Sequence, residues 1–191
     1  MILGSYSASV YFLTSSITLA ITLVVIYWIS QYYGHDKPFP QAAISSVAKH
    51  FPEYVFFRIA TISGSALVVL GWMTNLMYLK TIAYEQVINL HPYKANVMTA
   101  IGIVGSLSLM GSTALIDTGK ENMHLHQMCA KVFFILTIIA QLYNTVVYTL
   151  LWQKHNILSK WGVYSKLFLA FLFIVQIYLS VQKGEFFDSE T

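Results

Sequence analysis

The side chains that could do chemistry are concentrated in two polar segments of a very apolar chain. The first, residues 38–58, ends inside the start of a hydrophobic run, and the second, residues 117–126, reads DTGKENMHLH. A guanidinium group suits phosphate or carboxylate, whereas imidazole and carboxylate groups can transfer protons or bind metal ions. The candidate binding residues of the two segments are His50, Glu53, Arg58, Asp117, His124 and His126.

Arg58 enters an apolar run, where an unpaired charge is costly. Glu53, five residues earlier, can form an ion pair with it at the membrane interface while the arginine stem stays in the apolar zone. Alternatively, the planar guanidinium binds the phosphate of an anionic lipid headgroup. The sequence leaves both interpretations open.

His124 and His126 are the strongest candidates for acid/base or metal chemistry. With Asp117, Glu53 or His50 they could form a zinc site that keeps one position for a catalytic water. However, residues i and i+2 point about 200° apart on a helix, so only one of the two would then face the site. Interfacial hydrogen bonding is the alternative, and we predict neither a bound metal nor a cofactor.

The composition places the chain in a bilayer. Hydrophobic residues make up 57% of it and charged residues only 10%, whereas soluble domains have about 25% charged residues. Cys129 is the only cysteine, which excludes an intrachain disulfide and a cysteine-based metal site. The net charge of +3 is spread along the chain without a basic tract or a phosphate-binding glycine loop, so we predict no nucleic-acid partner.

Five apolar stretches reach the length of about 20 residues that a helix needs to cross the hydrocarbon core. We therefore predict an all-α membrane protein, a single bundle of five transmembrane helices over residues 1–191. The predicted spans are about 6–29, 54–79, 95–116, 127–152 and 163–181. The third span contains small-xxx-small pairs such as Gly102/Ser106, which let helices approach closely, so it should lie centrally with the second span beside it.

Five spans place residues 30–54, residues 117–126 and the C-terminus on one side of the membrane. That side holds six cations and seven of the eight acids, a charge of about −1, whereas the other side holds five cations and one acid, a charge of +4. The numbers of cations alone do not decide the orientation by the positive-inside rule. The uneven acids favour a cytosolic N-terminus.

Three short motifs resemble those of the Frag1/DRAM/Sfk1 family of multi-pass membrane proteins. In this sequence they are Pro40 with Ile44 and Ser45, Phe51-Pro52-Glu53 with Arg58, and His126 with Ala130 and Phe133. The aromatic-to-arginine opening of the second span looks most like the GPI-anchor remodelling branch, the post-GPI attachment to proteins factor 2 type. The likeness covers roughly residues 38–152.

This resemblance implies a helical bundle whose first loop is lumenal or extracellular. It also implies an integral protein of the endomembranes, in the Golgi or endoplasmic reticulum, with the plasma membrane and lysosome as alternatives. Family members usually have six spans, one more than is predicted here. A divergent paralogue, an alternative product or a partner subunit's helix in the sixth position would account for the difference.

Three functions follow as hypotheses. The first is GPI-anchor or phospholipid handling at a lumenal headgroup site, where Arg58 holds the phosphate and Glu53, Asp117 and His126 supply polar or acid/base contacts. The second is a non-catalytic accessory or scaffold subunit that contacts membrane lipids and a partner membrane subunit. The third is a metal-dependent lipid hydrolase, which requires at least three ligands on one ion.

Overall fold

The computed structural model describes residues 2–35, 47–84, 92–116, 120–155 and 160–182. These ranges contain five α-helices and no β-strand, which confirms the predicted all-α class. The helices are α1 (Ile2–Tyr33), α2 (Glu53–Tyr84), α3 (Pro92–Leu115), α4 (Lys120–His155) and α5 (Lys160–Gln182).

Four of the five helices contain segments that are long and apolar enough to cross a membrane. Among the described residues, these segments are Ala8–Tyr33, Glu53–Ile82, Tyr93–Leu115 and Asn122–Gln153. They lie on α1 to α4, so the chain has the helices of an integral membrane protein. The crossing by α5, and with it the five-span bundle, stays a prediction.

The C-terminal end of α1 is defined by backbone hydrogen bonds around a glycine. Gly34 follows α1 with a φ of 66°, in the left-handed region that glycine adopts without a side-chain penalty. Its N–H donates to the carbonyl of Gln31, and the N–H of His35 donates to the carbonyl of Ser30. This pair of bonds is a Schellman motif, which ends α1 and turns His35 back toward the bundle.

Each helix packs against its neighbours in the sequence: α1 on α2, α2 on α3, α3 on α4 and α4 on α5. The contacts run in opposite directions along each pair, so the neighbours are antiparallel. On α2 and α3, for example, Trp72 lies at Gly102 and Arg58 lies at Ile116. The second span lies beside the third, as predicted, because α3 packs against α2 as well as α4. Since α2 and α4 also each pack against two helices, the central position of the third span stays a prediction.

Glycine at position 102 permits the close approach of α2 and α3. A Cβ atom added there would lie 2.3 Å from Cε2 and 2.6 Å from Cδ2 of the Trp72 indole. Trp72 is itself buried and makes an edge-to-face contact with Phe12 of α1, at a ring-centroid distance of 5.4 Å. One indole therefore touches both neighbours of α2.

A buried polar cluster joins α2 to α4 at their C-terminal halves. Asn75 Nδ2 donates to Asn144 Oδ1 at 3.2 Å, and the Tyr148 hydroxyl donates to Asn75 Oδ1 at 2.7 Å. The bond to Asn144 is therefore an interhelical hydrogen bond between buried side chains. Where no water is available, such bonds satisfy polar groups that would otherwise be costly.

We predict that Gly102→Ala destabilises the bundle by about 1–3 kcal/mol, because the rigid indole leaves no room for the new methyl group. Gly111→Ala on the same helix is the matched control, since its Cβ would meet only Cys129 Sγ at 3.6 Å, an ordinary contact. Thermal unfolding in detergent measures both variants. Equal midpoints for the two variants would show that the Trp72 contact does not limit the packing.

We predict a coupling free energy of about 0.6–1.7 kcal/mol between Asn75 and Tyr148, the range that double-mutant cycles give for membrane helices. The cycle uses Asn75→Ala, Tyr148→Phe and the double variant, with unfolding in detergent as the measurement. Thr74→Ala is the control, because the Thr74 hydroxyl donates to the Leu70 carbonyl of its own helix. Strict additivity of the two substitutions would contradict the prediction.

Candidate functional site

The candidate residues that the structure describes lie at one end of the bundle, which we call the mouth. There α1 and α3 end while α2 and α4 begin, and the mouth residues are His35, His50, Glu53, Arg58, Ile116 and His126. The antiparallel order of the helices brings them together from distant parts of the sequence. Asp117, another of the candidate binding residues predicted from the sequence, lies outside the described residues.

Glu53 is the first residue of α2, and its side chain is 0% exposed. Its Oε1 lies 2.7 Å from His35 Nδ1, a contact between the start of α2 and the residue that the Schellman motif turns back. The helix N-terminus also favours a negative charge at this position. Its second oxygen, Oε2, is buried without a partner among the described residues.

The imidazole ring of His35 has two ring neighbours, His50 and Tyr33. The ring centroids of His35 and His50 are 4.9 Å apart, and the ring of Tyr33 stacks on His35 at 5.4 Å. The His50 carbonyl accepts a hydrogen bond from the N–H of Tyr54, which ties the segment before α2 to its first turn. Glu53 and His35 thus form an acid/base pair, and the rings of Tyr33 and His50 flank it on the His35 side.

Arg58 is half-buried and is held by α3 and by its own helix. Its Nη2 donates to the carbonyl of Ile116 at 2.5 Å, and its guanidinium carbon lies 5.2 Å from the centroid of the Tyr54 ring. A carbonyl at a helix C-terminus has no helical partner, and the negative end of the helix dipole attracts a cation there. The Nε atom is buried without a partner among the described residues.

The pairing of Arg58 with Glu53 that the sequence allowed is not what the structure has. Glu53 pairs with His35, and Arg58 binds the end of α3. The reason is geometric, because residues five positions apart point about 140° apart on a helix. Glu53 therefore faces α1 while Arg58 faces α3.

Two buried hydroxyls follow Arg58 along α2. Thr61 and Ser65 lie within an arc of about 60° with Arg58, and their hydroxyls have no partner among the described residues. By contrast, the Ser63 and Thr74 hydroxyls donate to carbonyls one turn earlier in their own helix. This side of α2 therefore carries three buried donor atoms, Arg58 Nε and the Thr61 and Ser65 hydroxyls, that bind no acceptor among the described residues.

The two histidines at the start of α4 have different environments, as helical geometry requires. His124 is exposed, whereas His126 is half-buried with its Nδ1 lying 2.8 Å from the Ser112 carbonyl and 3.1 Å from the Ser112 hydroxyl. Since a carbonyl only accepts, Nδ1 carries the proton and donates to it. His126 thus connects α4 to α3, and His124 does not join it.

The polar side chains at the mouth form separate pairs rather than one cluster. Among the described residues, no three histidine, cysteine or acidic side chains converge in a way that could hold a metal ion. His35, the partner of Glu53, was not among the predicted site residues. The glycine at position 34 was the available signal, because glycine just after an apolar run indicates a helix end and a chain that turns back.

Comparison with protein-family models matches residues 5–185 to the Frag1/DRAM/Sfk1/Cwh43P N-terminal domain. No curated protein and no solved structure matches the chain. The family match covers nearly the whole chain, including all four helices that could span a membrane and the mouth residues at their ends. The chain belongs to the Frag1/DRAM/Sfk1/Cwh43P family of membrane proteins.

Proposed function

We propose that this protein binds the phosphate-bearing headgroup of a membrane lipid at the mouth and takes part in handling a GPI anchor or a phospholipid. The observation that carries the proposal is the incomplete hydrogen bonding of the Arg58 guanidinium. Its guanidinium is held in place by the Ile116 carbonyl and the Tyr54 ring, while its buried Nε has no described partner. A guanidinium that is held in position and still has an N–H group without an acceptor suits a phosphate group.

The depth of Arg58 in the bundle supports a headgroup as the ligand. The 32 residues of α2 extend about 48 Å, whereas the hydrocarbon core is about 30 Å thick. The ends of α2 therefore reach the headgroup regions. Arg58 lies five residues from the start of α2, about 8 Å along its axis, which is the depth of lipid phosphate and ester groups.

The remaining polar groups take supporting roles in this proposal. Glu53 with His35, together with His126 and Asp117, supplies hydrogen bonds or acid/base contacts, and the unused donors of Thr61 and Ser65 suit the oxygens below a phosphate. We also propose that α5 is the fifth span, that the N-terminus is cytosolic and that the mouth is lumenal, in the Golgi or endoplasmic reticulum. The greater number of acids on the mouth side of the chain supports this orientation.

A second candidate function is that of a non-catalytic accessory or scaffold subunit with a partner membrane subunit. It is favoured by the pairing of the mouth residues within the chain, because Glu53 contacts His35 and His126 contacts Ser112. Under this function the polar pairs hold helix ends together. The two candidates differ in whether a lipid depends on Arg58.

We predict that Arg58→Gln lowers the amount of phospholipid that co-purifies with the protein by tenfold or more. A hydrogen-bonded charge contributes about 1.5–3 kcal/mol, and Gln keeps a polar side chain without the charge. Lys49→Gln is the matched control, since Lys49 is an exposed cation at the same end of the bundle. Lipid is counted per protein by mass spectrometry after purification in a mild detergent.

Arg58→Lys separates geometry from charge in the same experiment, because lysine keeps the cation but lacks the planar fork. We expect it to retain part of the lipid. If Arg58→Gln unfolds at the wild-type temperature and keeps the wild-type lipid content, the headgroup proposal is wrong. If both Arg58 variants lose stability while the remaining folded protein keeps its lipid, the scaffold function is favoured.

For the scaffold function we predict that His35→Ala costs about 2–3 kcal/mol of stability, because it leaves the buried Glu53 carboxylate without its partner. His124→Ala is the control and should change stability by less than about 0.5 kcal/mol, since His124 is exposed. Unfolding in detergent measures stability, and capture of co-expressed membrane partners measures association. A wild-type midpoint for His35→Ala would show that the pair does not hold α1 to α2.

A further inference from the structure

The end of the bundle opposite the mouth is basic, and the mouth chemistry does not involve it. At this end, which we call the basic end, α2 and α4 finish while α3 and α5 begin. In the sequence it holds five lysines and one acid, Glu85, which lies outside the described residues. The lysines are Lys80, Lys94, Lys154, Lys160 and Lys166.

The described lysines of the basic end have no carboxylate against them in the described ranges. Among the described residues, the only contact between a basic and an acidic side chain at ion-pair distance is that between His35 and Glu53 at the mouth. Lys80, Lys94 and Lys160 are exposed at the ends of three different helices. They therefore present positive charge around this end rather than on one helix face.

Lys166 is the most enclosed of the four basic-end lysines whose side chains the structure describes. It lies six residues into α5, about 9 Å along the helix from Lys160, and its ammonium nitrogen is 4.5 Å from the centroid of the Tyr148 ring on α4. The hydroxyl of the same tyrosine donates to Asn75 of α2. The polar core that joins α2 to α4 thus fixes the ring against which Lys166 lies.

Aromatic side chains mark the membrane interface at the same level. Trp152 of α4 and Trp161 of α5 both contact the ring of Tyr164, at centroid distances of 5.7 and 6.4 Å. Trp161 is 73% exposed, and tryptophan and tyrosine concentrate at the headgroup level of a bilayer. Lys166 is two residues from Tyr164, about 3 Å along the helix axis, so where these rings lie at the headgroup level the Lys166 ammonium lies close to the same level.

We propose that the basic end binds anionic phospholipid headgroups of the leaflet that surrounds it, with Lys166 and the Tyr148 ring as its most enclosed contact. Charge complementarity carries the proposal, because a cation at membrane depth needs an anion and the described protein supplies none there. Anionic lipids are the abundant anions of a cytoplasmic leaflet. This site is separate from the mouth. It rests on the proposed orientation, in which the basic end faces the cytoplasm, and not on the lipid role proposed for Arg58.

The test uses the full chain in nanodiscs of pure phosphatidylcholine or of equal parts phosphatidylcholine and phosphatidylserine. Lys166→Met removes the charge and keeps a side chain that can pack on Tyr148. A triple variant, Lys80→Gln with Lys94→Gln and Lys160→Gln, removes three exposed charges. Lys49→Gln at the mouth is the control, and mass spectrometry measures the phosphatidylserine retained after extraction into neutral detergent.

Phosphatidylserine should raise the unfolding temperature of the wild type and of Lys49→Gln. Lys166→Met should retain about fivefold less phosphatidylserine, the ratio that corresponds to ~1 kcal/mol per lysine near a charged surface. The triple variant should lose fivefold or more, and Lys166→Arg should retain the lipid. If the lysine variants keep as much phosphatidylserine as the wild type, or if Lys49→Gln loses as much as they do, the proposal is overturned.

Discussion

The contact between Trp72 and Gly102 sets the register on which the mouth depends. Arg58 lies fourteen residues before Trp72, and Ile116 lies fourteen residues after Gly102. In an antiparallel pair, equal steps in opposite directions along the two chains end at the same level. The indole contact therefore places the Arg58 guanidinium at the end of α3, about 21 Å from Trp72 along the helix axis. The same indole touches Phe12 and so relates α1 to this pair. A shift of α2 by one turn would move Arg58 about 5 Å from the carbonyl that it binds.

The second constraint is that buried polar groups in a bilayer need partners within the protein or from lipid. The two halves of α2 meet this constraint differently. In its C-terminal half, Asn75 is satisfied by Asn144 and Tyr148 of α4. In its N-terminal half, Glu53 and Arg58 each have one described hydrogen-bond partner and one buried polar atom without a partner among the described residues. The half with unpartnered donors and acceptors is the half that ends at the mouth, which is why we assign the ligand to that end.

The two ends of the bundle also differ in how their charges are arranged. At the mouth, Glu53 and Arg58 are paired within the protein, Glu53 with His35 and Arg58 with the free carbonyl at the end of α3. At the basic end, three lysines stay exposed and the fourth described lysine rests on an aromatic ring. The partly enclosed polar groups of the mouth and the exposed lysines of the basic end suit different lipid contacts. The first suits recognition of one headgroup, and the second suits attraction to a charged surface.

The sequence by itself determined the class of protein, the helical segments and the family motifs, because apolar length, scarce charge and short local patterns are properties of consecutive residues. Its small residues also indicated that α2 and α3 pack side by side, and helical periodicity indicated that His124 and His126 face different directions. It did not determine which side chains pair. Glu53 was within reach of Arg58 in sequence, yet it binds His35, because the Schellman motif after α1 and the 140° separation on α2 turn the two side chains toward different helices. Likewise, only the packing of α2 on α3 brings Arg58 to the Ile116 carbonyl. Every residue has a backbone carbonyl, so the sequence cannot indicate that the acceptor is the one fifty-eight residues away.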